Sequence, residues 1–285
     1  MTASSGLEGE GLLLHLAGPL QSWGVASPFN ERDTALSPTR SGFIGLFAAA
    51  LGLAREEPLG ELRTLHFTVR IDRAGTRLRD FHTVGGGMPR HLTVATSEGR
   101  RRKGDTATHV SNRYYLQDAA FTVAVTCEDT DLLRKCANAL RRPRWPLYLG
   151  RRSCPPTGPV LLAEARRGPL THLLRLPLAR TPSRQKRTSD LPLLETVEFT
   201  TDLPTDALVH AMREEFPGLA VPHALEEEVR DVPEGFASLD RRYGTRTQRR
   251  VPVQLPLPAS QFGGHGVGYL HALTTYLDQE RETLR

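Results

Sequence analysis

Leu12-Leu-Leu-His-Leu-Ala-Gly-Pro19, followed after a polar loop by Ser37-Pro-Thr-Arg-Ser-Gly-Phe-Ile-Gly-Leu-Phe-Ala-Ala-Ala-Leu-Gly52, is the stretch that decides the fold. Its first half is a short apolar run closed by Gly18 and Pro19, the pattern of a buried strand. In its second half Phe43, Ile44, Leu46, Phe47, Ala50 and Leu51 fall on one helical face, with Ser37 and Pro38 as start signals and Gly52 near the end. Working outward, residues 65–71 alternate Phe67, Val69 and Ile71 with polar side chains as a half-buried strand does, and residues 78–84 continue a strand after a turn at Gly75. Phe121, Val123 and Val125 resume the alternation. Residues 129–142 read as a helix capped by Asp129 or Thr130 and halted by Pro143, and residues 147–149 as a further short strand. The order is β-α-β, an excursion, then β-α-β. It predicts an α+β fold, the ferredoxin-like or RRM plait (a palm), with a basic β-hairpin thumb inserted at its middle and a C-terminal extension.

The excursion covers residues 85–112, opens on Gly85, Gly86 and Gly87, and carries Arg100, Arg101, Arg102 and Lys103. The expected palm is residues 1–84 and 113–165, with its C-terminal part in residues 166–260 and a terminal helix in residues 261–285. Within that part residues 160–165 suit a strand, residues 180–190 are basic, polar and flexible, and residues 204–216 look helical. Pro252, Pro256 and Pro258 restrict residues 251–257 to an edge strand or extended strip. Tyr269, Leu270, Leu273, Tyr276 and Leu277 form one apolar stripe that docks the last helix on its own core.

Of the 285 residues, 39% are hydrophobic and 24% charged, which fits a globular chain with a real core and excludes disorder throughout. No run of apolar residues is long enough for a membrane span, so a cytoplasmic protein without membrane contact is expected. Cys127, Cys136 and Cys154 lack metal-ligand spacing; no metal and no cofactor is expected. Charge is clustered: residues 70–113 hold ten basic residues against four acids, and residues 134–152 hold seven and no acid. Residues 202–234 hold nine acids and are expected to face solvent or a protein. Arginine makes up 34 of the 37 basic residues; its planar fork matches phosphate and stacks on bases, although a GC-rich genome gives the same bias. P-loop, GxSxG, HExxH and Rossmann motifs are absent. A metal-independent ribonuclease needs only a base and an acid near a 2′-hydroxyl, which His82, His91, His109, Tyr114 and Tyr115 could supply; the signal is weak, since such residues beside a basic loop more often stack on a base or fill the core. Adjacent strand residues point to opposite faces, so one of Tyr114 and Tyr115 belongs to the core.

Five strings carry a resemblance: Leu16-Ala-Gly-Pro-Leu-Gln-Ser-Trp-Gly24, Ser37-Pro-Thr-Arg-Ser-Gly-Phe-Ile-Gly-Leu46, Leu78-Arg-Asp-Phe-His-Thr-Val84, Tyr114-Tyr-Leu-Gln-Asp-Ala-Ala-Phe-Thr-Val123 and Leu147-Tyr-Leu-Gly-Arg-Arg-Ser-Cys-Pro155. In this order, over roughly residues 11–165, they resemble the CasD family, the type I-E form of CRISPR-associated protein 5. The resemblance implies a palm whose thumb hooks over the 5′ handle of the CRISPR guide RNA (crRNA) at the foot of the antiviral Cascade ribonucleoprotein. It implies docking to a backbone subunit and the large subunit, and target DNA met through the assembled complex. It also implies no catalysis: a related protein of other subtypes cuts the precursor RNA, whereas the type I-E form holds RNA already cut.

RNA-binding expectations follow residue by residue. Gln21 and Ser22 would read a base edge and Trp23 stack, or fill the core. Thr39, Arg40 and Ser41 stand at a helix start, where free N–H groups and the dipole favour phosphate, or simply cap it. Arg79 and His82 lead into the thumb, or pair with Asp80 and sit in a strand; Arg113 and Tyr114 close it. Arg100 to Lys103 would clamp the guide, or form a solvated loop tip, and Arg151 and Arg152 would meet phosphate. Two other readings remain beside this one: a metal-independent endoribonuclease acting on repeat RNA, and an adaptor whose main work is protein contact.

Overall fold

In the computed structural model, strand β1 (Gly11–Ala17) is buried on both faces: Leu12, Leu14 and Leu16 enter one core and Leu13 the other. The structure describes residues 9–25, 30–96, 98–102, 107–182, 193–221, 223–237 and 241–284. Two short strands follow, β2 (Leu20–Gln21) and β3 (Glu31–Arg32). Helix α1 (Arg40–Leu51) begins where the Thr39 hydroxyl accepts from the Gly42 N–H, and ends at Gly52, whose φ of 77° suits glycine. Then come β4 (His66–Arg73), β5 (Thr76–Val84), β6 (His109–Gln117) and β7 (Ala120–Thr126). Asp129 caps α2 (Thr130–Arg141) by accepting from the N–H groups of Asp131 and Leu132. The rest of the chain forms β8 (Leu161–Ala165), α3 (Pro169–Arg175), β9 (Leu193–Thr201), α4 (Thr205–Glu215), β10 (Leu225–Gly235), β11 (Arg242–Leu257) and α5 (Val267–Gln279).

The larger sheet has seven strands in the order β10-β11-β9-β4-β7-β1-β8. Its β4-β7-β1-β8 portion, with α1 joining β1 to β4 and α2 joining β7 to β8, is the ferredoxin-like plait that the sequence predicts. Strands β9, β11 and β10 widen it. Helices α1 and α2 cover one face over the first core; α3, α4 and α5 cover the other over the second, where Tyr269 and Leu273 dock α5. The last seven residues of β11, from Val251, pair with β9 alone, since β10 ends opposite Arg250. Pro252 and Pro256 differ by four positions, so their missing donors face the same side, the one without a partner strand.

Three expectations need correction. The fourth plait strand is β8, not residues 147–149: Leu149 N–H donates to Cys154 O within a tight loop, while Ser22 N–H takes the Leu149 carbonyl. Second, β5 does not stay in the palm. Strand β4 is already flanked by β7 and β9, so the chain turns at Gly75 (φ 73°) and β5 pairs with β6 in a second sheet with β2 and β3. The hairpin is therefore rooted at Thr76 and Gln117 rather than at residue 85. Third, the acidic stretch does not simply face solvent, because Asp202 and Asp231 are buried.

On the face of β4 opposite Phe67 and Val69, Arg70 is buried beneath α3, 1% exposed. Its Nε donates to Asp72 Oδ1 at 2.6 Å, Nη1 to the carbonyls of Leu173 and Leu176, and Nη2 to Pro177 O, so one guanidinium satisfies the end of α3. Asp72 also accepts from Thr122 Oγ1 and Ala179 N–H. Asp72→Ala should leave a buried uncompensated cation and cost about 3–5 kcal/mol in urea unfolding. Nearby, the His15 ring stacks on Tyr269 at 4.7 Å, and burial pulls its pKa from 6.5 down to about 4 against the attraction of Asp72, with Arg70 and Arg73 lowering it further. Between those values the unfolded chain binds the extra proton, so stability falls as pH drops from 6.5 towards 4. Thermal melts across this window should show a smaller loss in His15→Gln than in the parent protein.

Candidate nucleic-acid interface

Gln21, Ser22 and Trp23 leave β1 turned inward. Gln21 is fully buried; its Nε2 donates to the carbonyls of Leu16 and Ala119, and its Oε1 accepts from Trp23 Nε1 at 3.1 Å. Ser22 Oγ donates to Tyr114 O at 2.9 Å, and Trp23, 1% exposed, packs against Phe43. The amide and hydroxyl expected to read a base are thus consumed by the protein, which corrects that reading: these residues shape the site from behind.

The start of α1 needs a second correction. Arg40 N–H donates to Asp231 Oδ2 at 2.7 Å, and its guanidinium is held by Asp202 and by Arg63 O. Arg40 is buried, so the position where a phosphate was expected is filled by a carboxylate from β10. Thr39 caps the helix, and Ser41, half-buried, lies 3.2 Å from the Thr39 hydroxyl.

The hairpin sorts its residues by face. In the register of β5 and β6, Arg79 lies opposite Tyr114 and Phe81 opposite Asn112 on one face, while Asp80 faces Arg113 and His82 faces Ser111 on the other. Arg77 stacks 4.4 Å above the Tyr114 ring and donates to Asp33 at 2.5 Å. Tyr115 is buried beneath Arg151, which sits 4.8 Å over its ring and donates to Arg32 O. His82 pairs with Asp80, and Arg113 Nε donates to Ser111 Oγ at 3.4 Å. At the far end Arg100 has an 84% exposed side chain and a single long contact, 3.8 Å, to Glu98. Arg101 donates to Thr93 O, and the half-buried Arg102 accepts the Thr93 hydroxyl on its carbonyl. Lys103 lies outside the described residues.

A groove of about 1120 Å³ runs between α1, the loop of residues 145–155 and the β10–β11 pair. Its floor is Trp23 under the side-chain-free Gly42 and Gly45; a Cβ on Gly42 would press on the Trp23 ring at 2.7 Å. Arg152 stands on the rim with Arg55, Arg230 and Arg241, and the walls carry Trp145, Tyr148, Phe236 and Tyr243. Trp23, Thr39, Ser41 and Arg152 are thereby brought together, apart from the hairpin residues. The sequence reading missed the other lining residues because they come from segments far apart in the chain. The one local signal was Trp145 and Tyr148 within the acid-free basic segment of residues 134–152. Among the described residues no group of three or more His, Cys, Asp or Glu is placed to hold a metal ion, and no helix is long and apolar enough to cross a membrane.

Comparison with known proteins agrees with this geometry. The family model for CRISPR-associated protein (Cas_Cas5) matches residues 11–249. The chain is 38% identical over 171 residues to the CRISPR system Cascade subunit CasD of Escherichia coli (strain K12), covering 53% of this chain and 69% of that protein. It superposes with a TM-score of 0.75 and 41% identity on a chain of a solved CRISPR RNA-guided surveillance complex, covering 94% of this chain and 100% of that one. A crystal structure of a Cas protein gives a TM-score of 0.53 at 30% identity, with 90% of this chain and 98% of that chain covered. A plait with a second-sheet hairpin, matched by the family across most of its length, places the chain in the CRISPR-associated Cas5 family.

Proposed function

We propose that this chain is an RNA-binding subunit of a type I-E Cascade complex that holds the 5′ handle of the crRNA and does not cut it. The observation that carries the reading is the β5–β6 hairpin, which leaves the palm with Arg77 stacked on Tyr114, Arg79 exposed beside them and Arg100 exposed at its end. Arginine and aromatic side chains interleaved on an exposed ribbon suit phosphate contact and base stacking together. Similarity to a Cascade subunit and to a surveillance-complex chain supports the same assignment. His82 pairs with Asp80, as either a general base or a structural ion pair would; against cleavage stands its cross-strand neighbour, the buried Ser111, which puts no second acid or base opposite it. The hairpin also exposes Phe81, Met88 and Leu92, apolar side chains suited to docking the backbone and large subunits. Target DNA would be met through the assembled complex.

Labelled repeat RNA mixed with the purified chain, with and without divalent metal, should be retained intact on a native gel. Replacing Arg79, Arg100 and Arg101 by alanine should weaken retention about tenfold or more at physiological salt and flatten the salt dependence, since each lost phosphate contact lowers the slope by roughly one. A discrete cleavage product would make the chain an enzyme and overturn the non-catalytic reading.

A further inference from the structure

We infer that the groove beside α1 is a second RNA site, which takes two or more unpaired nucleotides, stacks their bases on its aromatic wall and holds their phosphates on its arginines. This rests on the RNA-binding reading above but assigns a site separate from the hairpin. Four arginines line the groove and, among the described residues, no carboxylate does. Elsewhere on the surface arginines are commonly neutralised: Arg134 by Asp131, Arg175 by Glu215, Arg249 by Glu226 and Arg250 by Glu198. No other described residue forms an ion pair or hydrogen bond with the side chain of Arg55, Arg152 or Arg241. Like charges gathered in one concavity repel, and a polyanion threaded between them relieves that repulsion and is drawn in by it.

The walls identify the polyanion. Trp145, 42% exposed, Tyr148, Phe236 and Tyr243 offer ring faces, which an acidic peptide does not require and which unpaired bases do. Gly42 and Gly45 let two of the groove's rings close on α1: a Cβ on Gly42 would meet the Trp23 ring at 2.7 Å, and one on Gly45 would stand 3.7 Å from Phe236. Gly150 (φ 83°) lets the arginine-bearing loop come down on the Ser22 carbonyl, closing one end. The volume slightly exceeds the roughly 300–1,000 Å³ of pockets that hold one small molecule, which is room for more than a single nucleotide.

The chain's two tryptophans, Trp23 and Trp145, both line this groove, so intrinsic fluorescence reports on it directly. Titration with an unstructured RNA pentamer should quench the emission saturably. The Arg55→Ala/Arg152→Ala variant should bind about tenfold or more weakly by this signal, the scale of losing two phosphate contacts. Arg167→Ala/Arg213→Ala, which removes the same charge from exposed arginines outside the groove, should not. An abasic ribose-phosphate pentamer should give little quenching. Equal weakening in both variants, or equal quenching by the abasic strand, would overturn the inference. Retention of repeat RNA on a gel without any quenching would also overturn it while leaving the RNA-binding reading intact; loss of both would remove that reading too. Quenching by RNA-free partner subunits and not by the pentamer would assign the groove to a protein segment.

Discussion

Asp202 and Asp231 meet Arg40 and Arg246 at the N-terminus of α1, and the shape of everything around the groove follows from that meeting. Asp202 grips the Arg40 side chain while accepting from the Phe67 N–H of β4 at 2.9 Å. Asp231, from β10, accepts the Arg40 N–H and a bidentate pair from Arg246 of β11 at 2.7 and 2.9 Å. Removing such charges from water is costly, and the arrangement stands because each carboxylate accepts at least two hydrogen bonds. One cluster therefore fixes α1, the sheet beneath it and the hairpin that forms the opposite wall. It also settles where external anions can go: the helix N-terminus already holds an internal one, so positive charge available to a ligand must come from arginines on the surrounding loops.

The palm was legible because its elements obey simple periodicities. The Leu12 run, the 3.6-residue face from Phe43 to Leu51, the alternation around Phe121 and the stripe at Tyr269 each become the element their spacing predicts. What failed was pairing. Residues 76–84 look the same whether they extend a palm strand or found a new sheet, and the choice depends on β9, which occupies the free side of β4 from more than a hundred residues away. The site was less legible than the fold for the same reason. Gln21 reads as an amide open to a base edge beside a strand end, yet the Ala119 carbonyl that captures it lies 98 positions along the chain. The groove draws on five separated segments, including Arg230 within a stretch that is acidic on average.

Arginine enrichment looked like a single signal and is several. Arg70 is a structural cation inside the protein, holding the end of α3 through carbonyl oxygens. Arg40 and Arg246 are internal cross-links, and Arg73 ties β4 to Ala179 O and Asp118. Others close surface ion pairs of small net effect. The remainder, grouped on the hairpin end and around the groove, carry the electrostatic field that a polyanion would feel. Composition counts all four kinds alike; partners distinguish them.

The proline-bearing end of β11 bears on the life of the chain before assembly. A sheet flank with unpaired donors is a template for stray strands, and a seven-stranded sheet is a large template. Beyond Arg250 that flank offers gaps at Pro252 and Pro256 where hydrogen bonds would be needed, so an incoming strand finds no continuous ladder. A subunit synthesised ahead of its RNA and its neighbours can thus accumulate without polymerising along that edge, and recruitment into a larger particle is left to side-chain surfaces that can tell one partner from another.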